Sequence, residues 1–181
     1  MSETRNLEER CLSSEQIFEG GLLKAWRDRI ELPDGSQSVR EYVRHPGASV
    51  VIAETQPGVL LFERQFRYPV GQVFIEFPAG KRDQGEDFLA CAQRELREET
   101  GYRAESWQHL GTMHPCIGYS DERIDIFLAR ELSYVGQHLD QGEFLEIFEM
   151  SLAEAEQAVL DGRITDAKTV TCLFWAAKYL A

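Results

Sequence analysis

The chain has 181 residues, 43% hydrophobic and 28% charged, with 31 acidic against 19 basic side chains and a formal net charge of −12. That length supports one full hydrophobic core with a small appendage, but not two large domains. The acidic balance argues against broad binding to a nucleic-acid backbone, which needs clustered Lys and Arg; a small anionic ligand stays open where local arginines or a divalent cation invert the field.

Met1 to Arg10 is polar and acidic and lacks the basic start and apolar run of a signal peptide. The longest apolar stretch, Ala48 to Ala53, is too short to span a bilayer. A cytoplasmic protein with no membrane partner is therefore expected. Its four scattered cysteines are expected to be reduced, Cys91 and Cys172 as small core residues. Residues 1–13 show no periodicity and are expected to be poorly ordered. From Gln16 to Val43 the pattern is strand-like, and Pro33-Asp34-Gly35 is a hairpin signal. Residues 14–47 thus read as a small antiparallel β extension with little core of its own.

After His45-Pro46-Gly47, the runs Ala48–Ala53 and Val59–Phe62 flank Gln56-Pro57-Gly58 as a second, buried hairpin. Val73–Phe77 is a short strand ending at Pro78. Glu86–Thr100 reads as a helix with Gly101 as its C-terminal cap. Strands are expected near 107–114, 124–129 and 144–150. Ser151 with Glu154 forms a capping box for a helix to Leu160, and a last helix runs from about Ala167 to Leu180. Strands before, around and after one central helix predict an α/β (α+β) layered domain over 48–181.

The central helix carries the chemistry. Glu95, Glu98 and Glu99 are spaced i, i+3, i+4 and project from one side, beside an apolar stripe of Leu89, Ala92 and Leu96. Like charges so placed repel, and a hard divalent cation relieves them because Mg²⁺ takes carboxylate oxygens while keeping sites for water and phosphate. Glu86 can reach the same region. Spacing alone favours a solvated helix with Arg94–Glu98 pairing instead. The complete pattern decides otherwise.

Gly80, Glu86, Arg94, Glu95, Leu96, Glu98, Glu99, Gly101 and apolar Tyr102 resemble the Nudix box at every defining position. A chance match is rarer than about one in a million at ordinary residue frequencies. The resemblance implies the Nudix fold, a mixed sheet between helices. It also implies Mg²⁺- or Mn²⁺-dependent hydrolysis of a nucleoside diphosphate linked to another group. Carried over, Glu95 and Glu99 are the main metal ligands, Glu98 an additional one, and the Ala79 carbonyl another. Glu86 supports the site, Arg94 orients the glutamates, and Gly80, set with the substrate contacts, permits the tight turn.

Outside the box, the chain is similar to the ADP-ribose pyrophosphatase subfamily. The similar segments are Arg44–Ala48, Glu63–Pro69, Glu76–Gly80, Gly118–Glu122 and Thr165–Thr169. Where that subfamily has a Ser-Pro-Gly-like turn, this chain has His114-Pro115-Cys116-Ile117-Gly118. A diphosphate needs cations besides metal, and Arg67, then Arg64, are the candidates; the alternative is a pair of strand-edge surface arginines. Phe18 is the candidate to stack on adenine, against a reading as core of the small sheet. Glu122 is assigned to the terminal ribose or to water at the metal. For the catalytic base, Glu143 is nominated with Asp140 as runner-up, on a loop whose glycines allow closure. His109, His114 and His138 are not spaced as metal ligands. The resemblance thus implies ADP-ribose hydrolysis to AMP and ribose 5-phosphate by a homodimer whose extension crosses to the partner. The alternatives are another nucleotide sugar, GDP-mannose or ADP-glucose, and a non-catalytic nucleotide-binding module.

Overall fold

The computed structural model describes residues 6–139 and 141–180. They form two compact units, one running to His45 with the segment Cys116–Glu122, the other comprising Pro46–Pro115 and the chain from Arg123 onward.

The first unit is an antiparallel sheet of β1 (Arg10–Glu19), β2 (Lys24–Glu31) and β3 (Gln37–Val43), in that order. The β2–β3 hairpin turns where the sequence predicts. Gly35 takes φ 85°, and the Asp34 carboxylate accepts the Ser36 N–H at 2.9 Å, the local bond that suits Asp to turns. β1 starts at Arg10, inside the stretch expected to be poorly ordered, because Arg10 to Glu19 pairs with Glu31 to Lys24, with irregularities at Leu12 and Ile17. Every β1 residue is exposed, and Ile30 is the one buried hydrophobic of the three strands. The segment 116–122 joins this sheet through the Val43 N–H to the Tyr119 carbonyl at 2.8 Å, and the His45 N–H donates to Asp121 Oδ1 at 2.7 Å.

The second unit is a mixed sheet of β4 (Ala48–Gln56), β5 (Val59–Arg67), β6 (Gln72–Glu76), β7 (Ala79–Lys81), β8 (Tyr102–Met113), β9 (Ile124–Tyr134) and β10 (Leu145–Ser151). The order is β10-β5-β4-β9-β8, with β6 on β5 and β7 on β4; the β4–β9 pair is parallel and the others antiparallel. Ala48–Ala53 is buried on both faces. Val50 and Ile52 point to one side, Val51 and Ala53 to the other, as strand alternation requires. The first side packs α2 (Leu152–Leu160) and α3 (Ala167–Tyr179); the second packs α1 (Phe88–Thr100). Helices on both faces of a mixed sheet are the expected architecture.

α1 begins two residues later than the sequence suggests, because Asp87 caps it by accepting the Ala90 N–H at 2.8 Å. Gly101 closes it in the left-handed conformation (φ 76°). Its buried face is Cys91, Ala92, Leu96, Glu99 and Thr100. Leu89, placed in the apolar stripe by spacing, is instead 38% exposed, while Cys91 is buried. The capping box at Ser151 forms with both reciprocal bonds. No helix among the described residues is long and apolar enough to cross a membrane.

Candidate active site

β7 delivers the chain from the sheet to α1 past Gly80, and the site lies where these meet. A β-carbon at Gly80 would stand 2.0–2.4 Å from the carboxylate atoms of Glu95. Only a residue without a side chain leaves room for that glutamate.

Arg94 organises the rest. Its Nε and one terminal nitrogen bond the two oxygens of Glu86 at 2.9 and 3.0 Å. Its other terminal nitrogen bonds Glu95 at 2.7 Å and Glu98 at 3.1 Å, and the Lys81 carbonyl accepts at 3.0 Å. One planar fork thus fixes three carboxylates. The bond from Arg94 holds the Glu86 carboxyl down to about 2. Burial raises the Glu95 carboxyl despite the same guanidinium. Glu99 lies deepest, 3% exposed, with Oε2 accepting the Ala79 N–H at 3.0 Å. Burial first, then the charges of Glu63, Glu95 and Glu143, push its carboxyl well above the ordinary range. The far end of α1 is tied down by the Gln137 amide on the Glu99 carbonyl and the His138 N–H on the Glu98 carbonyl.

Gly80, Arg94, Glu95, Glu98 and Glu99 line a cleft of about 340 Å³ together with Gln65, Arg67, Ala79, Lys81, Asp83 and Glu143, while Glu86 stands outside its lining. Among its lining side chains are five carboxylates and three cations, and two of those cations are already engaged, Arg94 with Glu86 and Arg67 with Glu76. A site so negative, with a glycine clearing space for one carboxylate and another, Glu99, buried with no cationic partner among the described residues, suits a hard divalent cation. Among the described residues, no three Asp, Glu, His or Cys side chains already form a metal cage, and Arg94 holds Glu95 and Glu98 instead.

The remaining candidates separate. Arg67 borders the cleft and makes a two-point bridge to buried Glu76, 2.7 Å at each oxygen. Arg64 does not line the cleft. Three residues from Arg67 on one strand, it faces the other side of the sheet, where it bridges Glu146 at 3.1 Å and lies 3.9 Å over the Phe148 ring. Glu143 lines the cleft, with Gln65 Nε2 at 3.5 Å. Asp140 lies outside the described residues. Phe18 and Glu122 belong to the first unit. Phe18 is 56% exposed, so it is not core there, and Glu122 sits 3.6 Å from His45 Nδ1. Among the histidines, His109 Nε2 pairs with buried Asp125 at 3.1 Å.

Sequence reasoning missed two buried acids and the half-buried lysine that one of them binds. Glu63 and Glu76 oppose each other on β5 and β6, and Lys168, at the start of α3, bridges Glu76 together with Arg67. Glu63 had a signal: it follows Val59–Phe62 directly and shares the strand face of buried Leu61.

The comparisons with known proteins give the family. The NUDIX domain family model matches residues 43–171, and that of the nucleoside diphosphate sugar hydrolase N-terminal domain matches residues 9–43. The chain belongs to the Nudix family, and it is a hydrolase. The ADP-ribose pyrophosphatase of Bacillus subtilis (strain 168) is 39% identical over 97% of this chain and 94% of its own. The methanol dehydrogenase activator of Bacillus methanolicus is 42% identical over 90% of this chain and 89% of its own. A crystal structure of an ADP compounds hydrolase shares the fold with a TM-score of 0.88 at 23% identity, covering 99% of this chain and 97% of that one.

Proposed function

We propose that this enzyme hydrolyses the pyrophosphate bond of ADP-ribose to AMP and ribose 5-phosphate, with Mg²⁺ or Mn²⁺ held by α1. The observation that carries this reading is the convergence of Glu95, Glu98, Glu99 and Glu143 on one cleft with Arg67 at its wall. Likeness to an ADP-ribose pyrophosphatase over nearly the whole chain supports the substrate.

In this reading Glu95, Glu98 and Glu99, with the Ala79 carbonyl, hold the cation, and Glu86 supports them through Arg94. Such a cation, when bound, offsets diphosphate charge and makes a nearby water more acidic. Arg67 orients a phosphate with the donors it does not spend on Glu76. Glu143 accepts the proton of the attacking water, a role its place in the cleft lining, directly after Gly142 at positive φ, supports. Arg64 is left out of the substrate set by its position. Phe18 is retained as an exposed aromatic suited to stacking on adenine, and Glu122 as a polar contact to the sugar.

The exposed first strand, with Leu12, Ile17 and Phe18 uncovered, supports a homodimer built through the N-terminal sheet. Free thiols at all four cysteines suit a reducing cytoplasm. Phosphate release from ADP-ribose, GDP-mannose and ADP-glucose, read in a phosphatase-coupled assay with Mg²⁺, tests the substrate. ADP-ribose should give the highest kcat/KM; preference for GDP-mannose would transfer the reading to that nucleotide sugar.

A further inference from the structure

Glu63 is fully buried, at 0% exposure, and among the described residues neither of its carboxylate oxygens has a hydrogen-bond partner. Buried carboxylates are ordinarily paired or ligating. Its neighbours explain why this one is not paired. The residue opposite it on β6 is Glu76, another acid, and the residue opposite on β10 is Ile147, which has no side-chain donor. The nearest cations are spent: Arg67 and Lys168 both bond Glu76. Gln65, next along the same face of β5, gives its amide to Glu143.

That face is the one turned to α1. Leu61 packs with Ala92 and Leu96, and Gln65 and Arg67 line the cleft, so Glu63 lies one pleat inward from its wall. Of the charged groups around Glu99, Glu63 acts on it most strongly, and Glu143 acts on both. Two buried acids, one on the α1-facing side of β5 and one on α1, thus share this region, and among the described residues no ion pair joins either of them to a cation.

We propose that Glu63 is a further cation-binding residue of this enzyme, taking a divalent ion between itself and Glu99 on the inner side of the α1 glutamates. The inference rests on the reading of those glutamates as cation ligands, and it adds a ligand from the sheet that the box does not contain. An orphaned pair of buried oxygens is costly in the metal-free protein and useful once an ion arrives, as in other sites where local stability is given up for binding.

The test uses Mn²⁺ alone, titrated into the whole protein and followed by the EPR signal of the free ion, together with thermal melting with and without Mn²⁺. The wild type, Glu63→Leu and Glu63→Gln are compared. The inference expects Glu63→Leu to melt at or above the wild-type temperature without metal. It also expects Mn²⁺ affinity to fall by roughly tenfold or more, or one ion to be lost, with a smaller rise in melting temperature on adding Mn²⁺. Glu63→Gln, which keeps the shape and loses the charge, should show the same loss of Mn²⁺. Unchanged Mn²⁺ binding in both variants would overturn the role of Glu63 while leaving the α1 site standing. A wild type that binds no Mn²⁺ would overturn both.

Discussion

Replacing Gly80 with alanine separates site geometry from fold stability. Gly80 is not at positive φ, so alanine suits its backbone. The new β-carbon would stand 2.0 Å from Glu95 Cδ and Oε1, and ordinary contact starts at 3.4 Å, so the carboxylate must retreat by about 1.4 Å. What moves is the end of a flexible side chain, at a cost of roughly 0.5–1.5 kcal/mol for a displaced rotamer. For a chain of this size that lowers Tm by only about 1–6 °C. Catalysis is far less tolerant, since a misplacement of about 1 Å can cost roughly a hundredfold in rate. Initial rates on ADP-ribose with Mg²⁺, set beside melting curves of the metal-free protein, give both numbers. A Gly80→Ala enzyme within about threefold of wild-type kcat/KM, a difference below 1 kcal/mol, would refute the requirement for Glu95 at its observed position. A melting point lowered by more than roughly 10 °C would show instead that the glycine serves the fold.

Glu99→Gln should leave the fold intact while kcat falls at least about a hundredfold; circular dichroism and a rate assay decide, and near-normal turnover would remove Glu99 from the machinery. Glu76→Gln strips the charge that Arg67 and Lys168 share. Leaving those cations without their acid should cost about 3 kcal/mol, seen as a denaturation midpoint shifted at unchanged slope. Asp125 gives a pH effect: burial pushes its carboxyl up, but the bonds from Arg123 and Thr112 outweigh this and hold it below the ordinary 3.8. A depressed acid stabilises the fold fully above 3.8 and loses that contribution as pH falls through the lower folded value. Asp125→Asn should therefore flatten the acid limb of the stability–pH curve, and an unchanged limb would count against the pairing.

Helical spacing made legible that Glu95, Glu98 and Glu99 share one side of α1, but spacing alone favoured a solvated face, and the full pattern from Gly80 to Tyr102 was needed to point to metal chemistry. Arg67 and Arg64 show how a rule could have been pressed harder. Residues three apart on a strand face opposite ways, so only one of them could border the cleft. The inward direction of Glu63 was equally open to strand parity, once Leu61 was taken as core. The Lys168–Glu76 bridge was not legible, since 92 residues separate the partners and no local period links them. The order of β1 was hidden for a related reason: its partners lie across a turn, and no buried face of its own leaves a periodic mark.

Anomalous scattering from Mn²⁺ in crystals of the protein tests the central claim most directly. The account predicts a peak within about 2.0–2.6 Å of carboxylate oxygens of Glu95 and Glu99. A manganese ion bound elsewhere, with those two side chains still held as they are by Arg94 and the Ala79 N–H, would contradict it.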